Sequence, residues 1–439
     1  MAFHLPGIHT PHRKNTAKQP AVRMDGPQYV KIPMSMHIGK PAVPTVKVGD
    51  SVKVGTRIGA ADGRISANIF ASVSGKVTKL EEYLLTNGSV TTAVVIESDG
   101  EMTPDEALHP HDVNTREELI AALAESGIVG LGGAGFPTHV KLAADPERIE
   151  YLIINGAECE PYITSDTLTM LTRAADMEYA LHALNRCLGI GKVIIGIENN
   201  KKEAISAMNE MASSVSSFSV TVKSLPSVYP QGGEKVLVYH TTGRKIPLNK
   251  LPIDVGCIVL NCTTLAAIGA FLRTGMPLCE KCVTVDGGAV KTPQNVIVPI
   301  GTSLSDLFAF CGGLTEQPSK IIYGGPMMGI TVMNAACSVL ANPNGDLALA
   351  KEEAKLPKTT ACIRCGSCVN TCPFHLAPVD IAEAYDRKDA ADLKVLSVES
   401  CMECGCCSYV CPANRPLVQI NKLSKQFLKE EKMKEDSKA

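Results

Sequence analysis

From Ile32 to about Ser98 the chain runs in short β-branched stretches cut by glycine: Thr45-Val-Lys-Val-Gly-Asp, Ser51-Val-Lys-Val-Gly and Ala71-Ser-Val-Ser-Gly-Lys-Val. Apolar and polar positions alternate within each stretch and glycine marks the turns, which predicts a small all-β unit over residues 31–100. From Thr115 the period changes. A helix is predicted over Arg116–Ser126, then a glycine-rich loop, a second helix and a strand at Tyr151–Ile154. A helix near Asp176–Cys187, a strand at Val193–Ile197 and a helix at Lys201–Met211 continue the alternation. Such a succession implies a mostly parallel sheet covered by helices, here over residues 115–245. Strands at Cys282–Val285 and Asn295–Pro299 and a helix at Ser303–Cys311 then predict a β-grasp-like insert over residues 246–345.

The run Val255–Leu272 carries no charge and is long enough to raise the question of a membrane span. It contains Gly256, Asn261, Thr263, Thr264 and Gly269, so a strand (Cys257–Leu260), a polar loop and a short buried helix are expected instead. The two ends differ from the rest. Residues 1–30 form an arm rich in Pro and His, whose His4, His9 and His12, like His37 beyond it, lack metal-ligand spacing and read as surface residues. Residues 426–439 are dense in Lys and Glu and read as a solvated helix or a disordered tail.

Composition narrows the function classes. At 439 residues the chain should hold several compact units. A formal charge of −2 provides no basic stripe for nucleic acid. Residues 1–31 have no apolar core of the kind a secretory signal needs. The 17 cysteines are therefore expected in a reducing compartment, where clustered thiols mean metal or catalysis rather than disulfides.

Eight of those cysteines form a repeat: Cys362-Ile-Arg-Cys365-Gly-Ser-Cys368-Val-Asn-Thr-Cys372-Pro373, then Cys401-Met-Glu-Cys404-Gly-Cys-Cys407-Ser-Tyr-Val-Cys411-Pro412. Both are C-x2-C-x2-C-x3-C-P, the run of bacterial two-cluster ferredoxins, in which three thiolates grip one cubane and the fourth reaches the other. The expected ligand sets are Cys362, Cys365, Cys368 and Cys411 for one [4Fe-4S] cluster, and Cys401, Cys404, Cys407 and Cys372 for its neighbour, within residues 346–425. Zinc sites more often show two paired ligands than four in this rhythm. Cys406 is out of phase and reads as a bystander. Cys279-Glu-Lys-Cys282 has no second pair and reads as buried small hydrophobes, and most of the scattered Cys159, Cys187, Cys257, Cys262, Cys311 and Cys337 read as core thiols.

The glycine-rich loop, Gly130-Leu-Gly132-Gly133-Ala-Gly135-Phe-Pro-Thr, holds a formal G-x-G-x-x-G, but it follows a predicted helix, where the dinucleotide fingerprint requires a strand. Its glycines would still let backbone N–H groups approach a phosphate or a ring, with Lys141 within reach. The segment Gly130–Lys141, followed by Asn155-Gly-Ala-Glu158-Cys-Glu160-Pro, resembles the flavin-binding core of the complex I flavoprotein, and Tyr229-Pro-Gln-Gly232-Gly233-Glu234-Lys and Asn261-Cys-Thr-Thr264 extend the likeness in order. The all-β unit is similar to the barrel-sandwich hybrid of lipoyl and biotinyl carriers, though Ala61-Asp-Gly-Arg-Ile-Ser offers Arg64 where a carrier presents its modified Lys. Together with the Gly7-Ile-His-Thr-Pro arm and the two cysteine runs, nearly the full length resembles the RnfC/RsxC family of the Rnf electron-transport complexes.

That resemblance implies a multidomain α/β and α+β protein: barrel-sandwich hybrid, Rossmann-like FMN/NADH domain, SLBB-like β-grasp insert and two-cluster ferredoxin domain. It implies FMN held by Gly130, Gly132, Gly133, Lys141, Asn155, Glu158, Gly232, Asn261, Cys262 and Thr264, with Glu160 and Glu234 helping to hold NAD(H) and Phe136 packing nearby. No side-chain acid or base is expected to act as a catalytic residue, because the protein contributes stacking, orientation and electrostatics. Ala157 stands where complex I flavoproteins usually carry Asp, and Gly233 replaces a Glu. The implied role is the NAD(H)-facing peripheral subunit on the cytoplasmic face of the membrane, partnered by a ferredoxin-like iron–sulfur subunit and membrane subunits. A soluble NADH:acceptor diaphorase component of a hydrogenase-like complex, or a flavin-free electron-carrying scaffold, are the alternatives.

Overall fold

The computed structural model describes residues 5–436; His4 therefore lies outside the described residues. The parallel sheet runs in the order Ser219–Leu225, Lys192–Glu198, Tyr151–Gly156, Cys257–Asn261. Both of its faces are covered, which is why its strands are nearly continuous in Val, Ile and Leu. Leu152, Ile154, Val193, Ile195 and Leu260 pack with helices Ala174–Leu188, Lys202–Ser214 and Cys262–Thr274. Ile153, Cys257 and Val259 face helix Glu234–Thr242 through Leu237 and Val238.

The uncharged run folds differently from expectation. Strand Cys257–Asn261 passes directly into helix Cys262–Thr274, with no intervening loop. The residues that read as loop are the helix start: Asn261 caps it, its side-chain oxygen accepting from Thr263 N at 2.7 Å, a role that Asn fills at helix N-termini. Among the described residues no helix is long and apolar enough to cross a membrane.

The all-β unit consists of a four-stranded sheet (Tyr29–Pro33, Val90–Ser98, Gly75–Leu84, Ser51–Val52) and a three-stranded one (Val43–Pro44, Arg57–Ala60, Ile69–Phe70). The two close over Val30, Ile32, Ile58, Val77, Val94 and Ile96, and Arg64 is exposed on the loop after Arg57–Ala60. A six-stranded mixed sheet follows, in the order Val22–Arg23, Gln294–Pro299, Glu280–Asp286, Gly345–Leu349, Lys320–Tyr323, Ile330–Val332. Helix Leu304–Phe310 packs on it through Leu304, Leu307 and Phe308.

Among the described residues, both ends are part of the fold. Ile8 and Thr16 are buried, and Val22–Arg23 is the edge strand of the six-stranded sheet, so the arm is built into the fold. His9 and His12 are exposed as expected, but His37 is half-buried, its Nε2 3.2 Å from Ala67 N. Helix Leu417–Asp436 runs unbroken through residue 425, because Leu417, Asn421, Ser424 and Leu428 bury one stripe of it before the charged end begins.

Candidate cofactor and cluster sites

The site lies at the carboxyl ends of the parallel strands, where open α/β sheets bind ligands. Asn155 and Asn261 are register partners at the ends of neighbouring strands. Over them the glycine loop forms a tight hairpin, closed by Gly130 N donating to Phe136 O at 2.9 Å and tied down by Leu131 N donating to Thr264 Oγ1 at 2.9 Å. Gly132 and Gly133 are exposed at its tip. Gly132 has φ 77°, and a Cβ there would lie 2.4 Å from Asn344 Nδ2 and 3.0 Å from Asn261 Nδ2, so only glycine lets the loop settle onto those amides. The loop follows helix Arg116–Glu125, so its context differs from the strand-preceded dinucleotide turn.

Asn155 Nδ2 donates to Gly232 O at 2.9 Å, which draws the 229–234 segment to the same strand ends. Lys141 Nζ donates to Val259 O at 3.0 Å and pairs with Glu234 at 3.2 Å, so a residue expected on FMN and one expected on NAD(H) meet in one half-exposed ion pair. Glu158 is buried. Its carboxylate accepts from Asp166 N at 2.6 Å and from Thr167 Oγ1 at 2.5 Å, at the start of helix Ser165–Thr172. Burial pushes its pKa up to about 7, opposed by the Lys14 ammonium. Both Glu160 carboxylate oxygens accept from backbone amides, Met327 N at 3.0 Å and Met328 N at 2.8 Å, which lie on the loop after strand Lys320–Tyr323. The Cys262 thiol is fully buried, which holds its pKa well above the usual thiol range.

Four residues absent from the sequence expectations complete the floor. The Asp166 carboxylate accepts from Asn261 Nδ2 at 2.8 Å, Thr263 Oγ1 at 2.7 Å and Asn344 Nδ2 at 2.8 Å. Lys281 is buried and donates to Ala341 O at 2.8 Å, burial pulling its pKa down to about 7 against the attraction of Asp166. Lys14 is the fourth. Asn344 Oδ1 is buried with no hydrogen-bond partner among the described residues, an acceptor beside the glycine loop that suits a ligand N–H. Bare glycine backbone, paired strand-end amides and an orphaned acceptor together fit a planar, phosphate-bearing cofactor.

The eight ferredoxin-type cysteines separate into two hollows. Cys362, Cys365, Cys368 and Cys411 line one; Cys372, Cys401, Cys404 and Cys407 line the other. The repeat extends to the backbone, for Arg364, Gly366 and His375 have φ of 56°, 74° and 54°, and their counterparts Glu403, Gly405 and Asn414 have 62°, 81° and 50°. These left-handed turns aim amides at the thiolates: Arg364 N lies 3.3 Å from Cys362 Sγ and Glu403 N 3.4 Å from Cys401 Sγ. Thiolates ringing an apolar hollow, with N–H groups directed at sulfur, fit iron–sulfur clusters. Cys406 is buried against Tyr229 and lines the second hollow without the repeat's spacing. Cys279 is a buried thiol packed near Val54 and Phe70.

The hollows differ in surroundings. The one with Cys401 abuts the glycine-loop domain: Tyr229 Oη donates to Cys404 O at 2.7 Å, and a Cβ on Gly233 would be 2.2 Å from Met402 Cε. The other faces outward, with Cys365 exposed and Ile363 68% exposed.

Four family models match the chain in order: the RnfC barrel sandwich hybrid domain over residues 2–101, the Nuo51 FMN-binding domain over 123–270, the SLBB domain over 282–331 and a 4Fe-4S dicluster domain over 358–416. The RnfC-type component of the Na(+)-translocating ferredoxin:NAD(+) oxidoreductase complex of Acetobacterium woodii is 42% identical over 388 residues, 87% of each chain. Its counterpart from the proton-translocating complex of Clostridium ljungdahlii is 42% identical over 85% of this chain and 82% of its own. The corresponding protein of the ion-translocating oxidoreductase complex of Rhodobacter capsulatus is 40% identical over 97% of this chain and 83% of its own. Among solved structures, a chain of the NAD+-reducing [NiFe]-hydrogenase in the H2-reduced state shares the fold, with a TM-score of 0.50 and 17% identity, over 71% of this chain and 61% of that one. With such identity over most of both lengths, and with the domains in this order, the chain belongs to the RnfC family of the ion-translocating ferredoxin:NAD+ oxidoreductase (Rnf) complexes.

Proposed function

We propose that this chain is the peripheral subunit through which such a complex exchanges electrons with NAD(H), by way of FMN at the glycine loop and two [4Fe-4S] clusters. FMN when bound would trade a two-electron hydride with nicotinamide for single electrons with the clusters. The chain's own residues bind and orient. Gly130, Gly132 and Gly133 present backbone, while Asn155, Asn261, Thr264 and Gly232 fix the strand-end floor. Glu158 and Cys262 close it from beneath, and Lys141 meets phosphate once it parts from Glu234. Glu234 and Glu160 are the acidic groups for the nicotinamide nucleotide, Glu160 after exchanging its two backbone donors.

The observation that carries this reading is the contact between Met402, Cys404 and the Tyr229–Gly233 segment, which brings one cysteine loop against the cofactor floor. It supports a placement: Cys372, Cys401, Cys404 and Cys407 would hold a cluster on the side of the FMN site, and Cys362, Cys365, Cys368 and Cys411 one on the outward side, where the ferredoxin-like subunit would meet it. The cytoplasmic face of the membrane is the setting for NAD(H) exchange, with membrane subunits holding the chain in place. The test is anaerobic purification with iron, sulfide and flavin quantified, followed by NADH titration watched by absorbance and EPR. About eight irons and one FMN per chain are expected, with flavin bleaching on NADH addition; no NADH-dependent bleaching would end the proposal.

A further inference from the structure

Residues 12–16 cross the molecule where the glycine-loop domain meets the six-stranded sheet, and no motif in the sequence includes them. Lys14 Nζ lies 2.9 Å from the carbonyl oxygen of Glu158, 2.8 Å from that of Glu160 and 2.5 Å from that of Ile163. An ammonium has three N–H donors and no acceptor, so one short loop satisfies it completely. That loop contains two left-handed residues, Glu158 at φ 48° and Tyr162 at φ 70°, conformations that non-glycine residues keep only when their surroundings hold them.

The neighbours of Lys14 fasten the same loop. Tyr162 N donates to His12 O at 3.0 Å, Arg13 Nη1 donates to Tyr162 Oη at 2.6 Å, and the hydroxyls of Thr16 and Thr164 lie 2.5 Å apart. Asn15 reaches the other side, donating to the Asp286 carboxylate of the six-stranded sheet. The Glu158 carboxylate is the nearest charge opposing Lys14; Lys201 and Glu198 pair with each other beside them. From there the bonds run to the glycine loop: Glu158 to Asp166, and Asp166 to the Asn261 and Asn344 amides on which Gly132 rests.

We propose that Lys14 is a positioning residue of the cofactor site. Its ammonium fills the carbonyl nest of residues 158–163 and so holds Glu158 and Asp166 in register with the glycine loop. This rests on the reading that FMN binds at that loop.

The test uses full-length, cluster-loaded protein stripped of flavin and titrated with FMN, read by quenching of flavin fluorescence. Lys14→Met should weaken FMN binding roughly tenfold or more, the scale of losing a charge-assisted contact that leaves buried acceptors unpaired, while the EPR signals of the dithionite-reduced clusters persist. Lys14→Arg, which keeps the charge, should recover most of the affinity. Glu158 faces Lys14, Lys201, Asp166, Thr167 and the buried Cys262 and Cys282 thiols, so the methionine variant should also move the pH dependence of FMN binding upward, a change a purely mechanical brace would not cause. Unchanged affinity and pH profile in Lys14→Met would overturn the inference, and so would joint loss of flavin and cluster signals. A wild-type chain that takes up no FMN would overturn both this and the reading beneath it.

Discussion

Asp346 sits at the centre of the six-stranded sheet, 1% exposed, with neither carboxylate oxygen bonded to any described residue. Burial raises its pKa to about 7, with the Lys281 ammonium opposing. A carboxyl whose folded pKa lies above its unfolded value binds its proton more tightly in the native state. Its contribution is therefore present at low pH and fades as pH rises from about 4 to about 7. Asp346→Asn removes that loss, so the variant should differ little from the wild type at pH 4, gain steadily as pH rises to about 7, and be more stable at pH 8.5 by about 1–3 kcal/mol. Equal gains at the lowest and highest pH would mean that the carboxylate is not the source. The residue scale is also where the reach of sequence reading is clearest. The eight cysteines that line the two hollows stand out in the sequence because their spacing repeats locally. Lys14 does not: its partners are 144–149 positions away, and a lysine in a Pro- and His-rich arm reads as solvent-exposed.

At the scale of elements, the boundaries of those foreseen between 115 and 275 were legible to within a few residues, because their β-to-α alternation is strongly periodic, whereas helix Ser165–Thr172, strand Ser219–Leu225 and helix Glu234–Thr242 were not foreseen. The missing loop at Asn261 arose because Asn and Thr favour both loops and helix starts, and only tertiary context decides between them. The two cysteine loops invite a paired experiment. Gly366 and Gly405 occupy equivalent left-handed positions, where an alanine carries an intrinsic cost of roughly 1–2 kcal/mol. A Cβ at Gly366 meets nothing nearer than Asn370 Nδ2 at 4.0 Å, whereas one at Gly405 comes within 3.2 Å of Met327 O. Gly405→Ala should therefore lower the occupancy of its cluster more than Gly366→Ala lowers that of the other, as measured by iron and sulfide content after identical anaerobic preparation.

For the whole molecule, the asymmetry between the two hollows matters most. On the proposed assignment, a cluster held by Cys362, Cys365, Cys368 and Cys411 should be the first to decay in air, because Cys365 and Ile363 are open to solvent while Cys404 and Cys407 are buried. EPR of the reduced protein at intervals of aeration should show one signal fading well before the other; simultaneous decay would contradict the assignment of inner and outer positions. The sequence contained the order of the domains but not how they pack. Which cysteine loop faces the flavin depends on Tyr229, Gly233 and Met402 meeting across more than 160 residues of chain, and no local pattern encodes such a meeting.

The stretch from Gly7 to Lys14 has a consequence of its own. Gly7 accepts a hydrogen bond from Thr371, the neighbour of ligand Cys372, and Ile8 pairs through its backbone with Tyr229, which in turn holds Cys404. A few residues further on, the Lys14 side chain of the same stretch pins the loop that bears Glu158. Any movement of the cysteine loops that disturbed Thr371 or Tyr229 would therefore reach the loop of Glu158 through one short run of chain, residues 7–14.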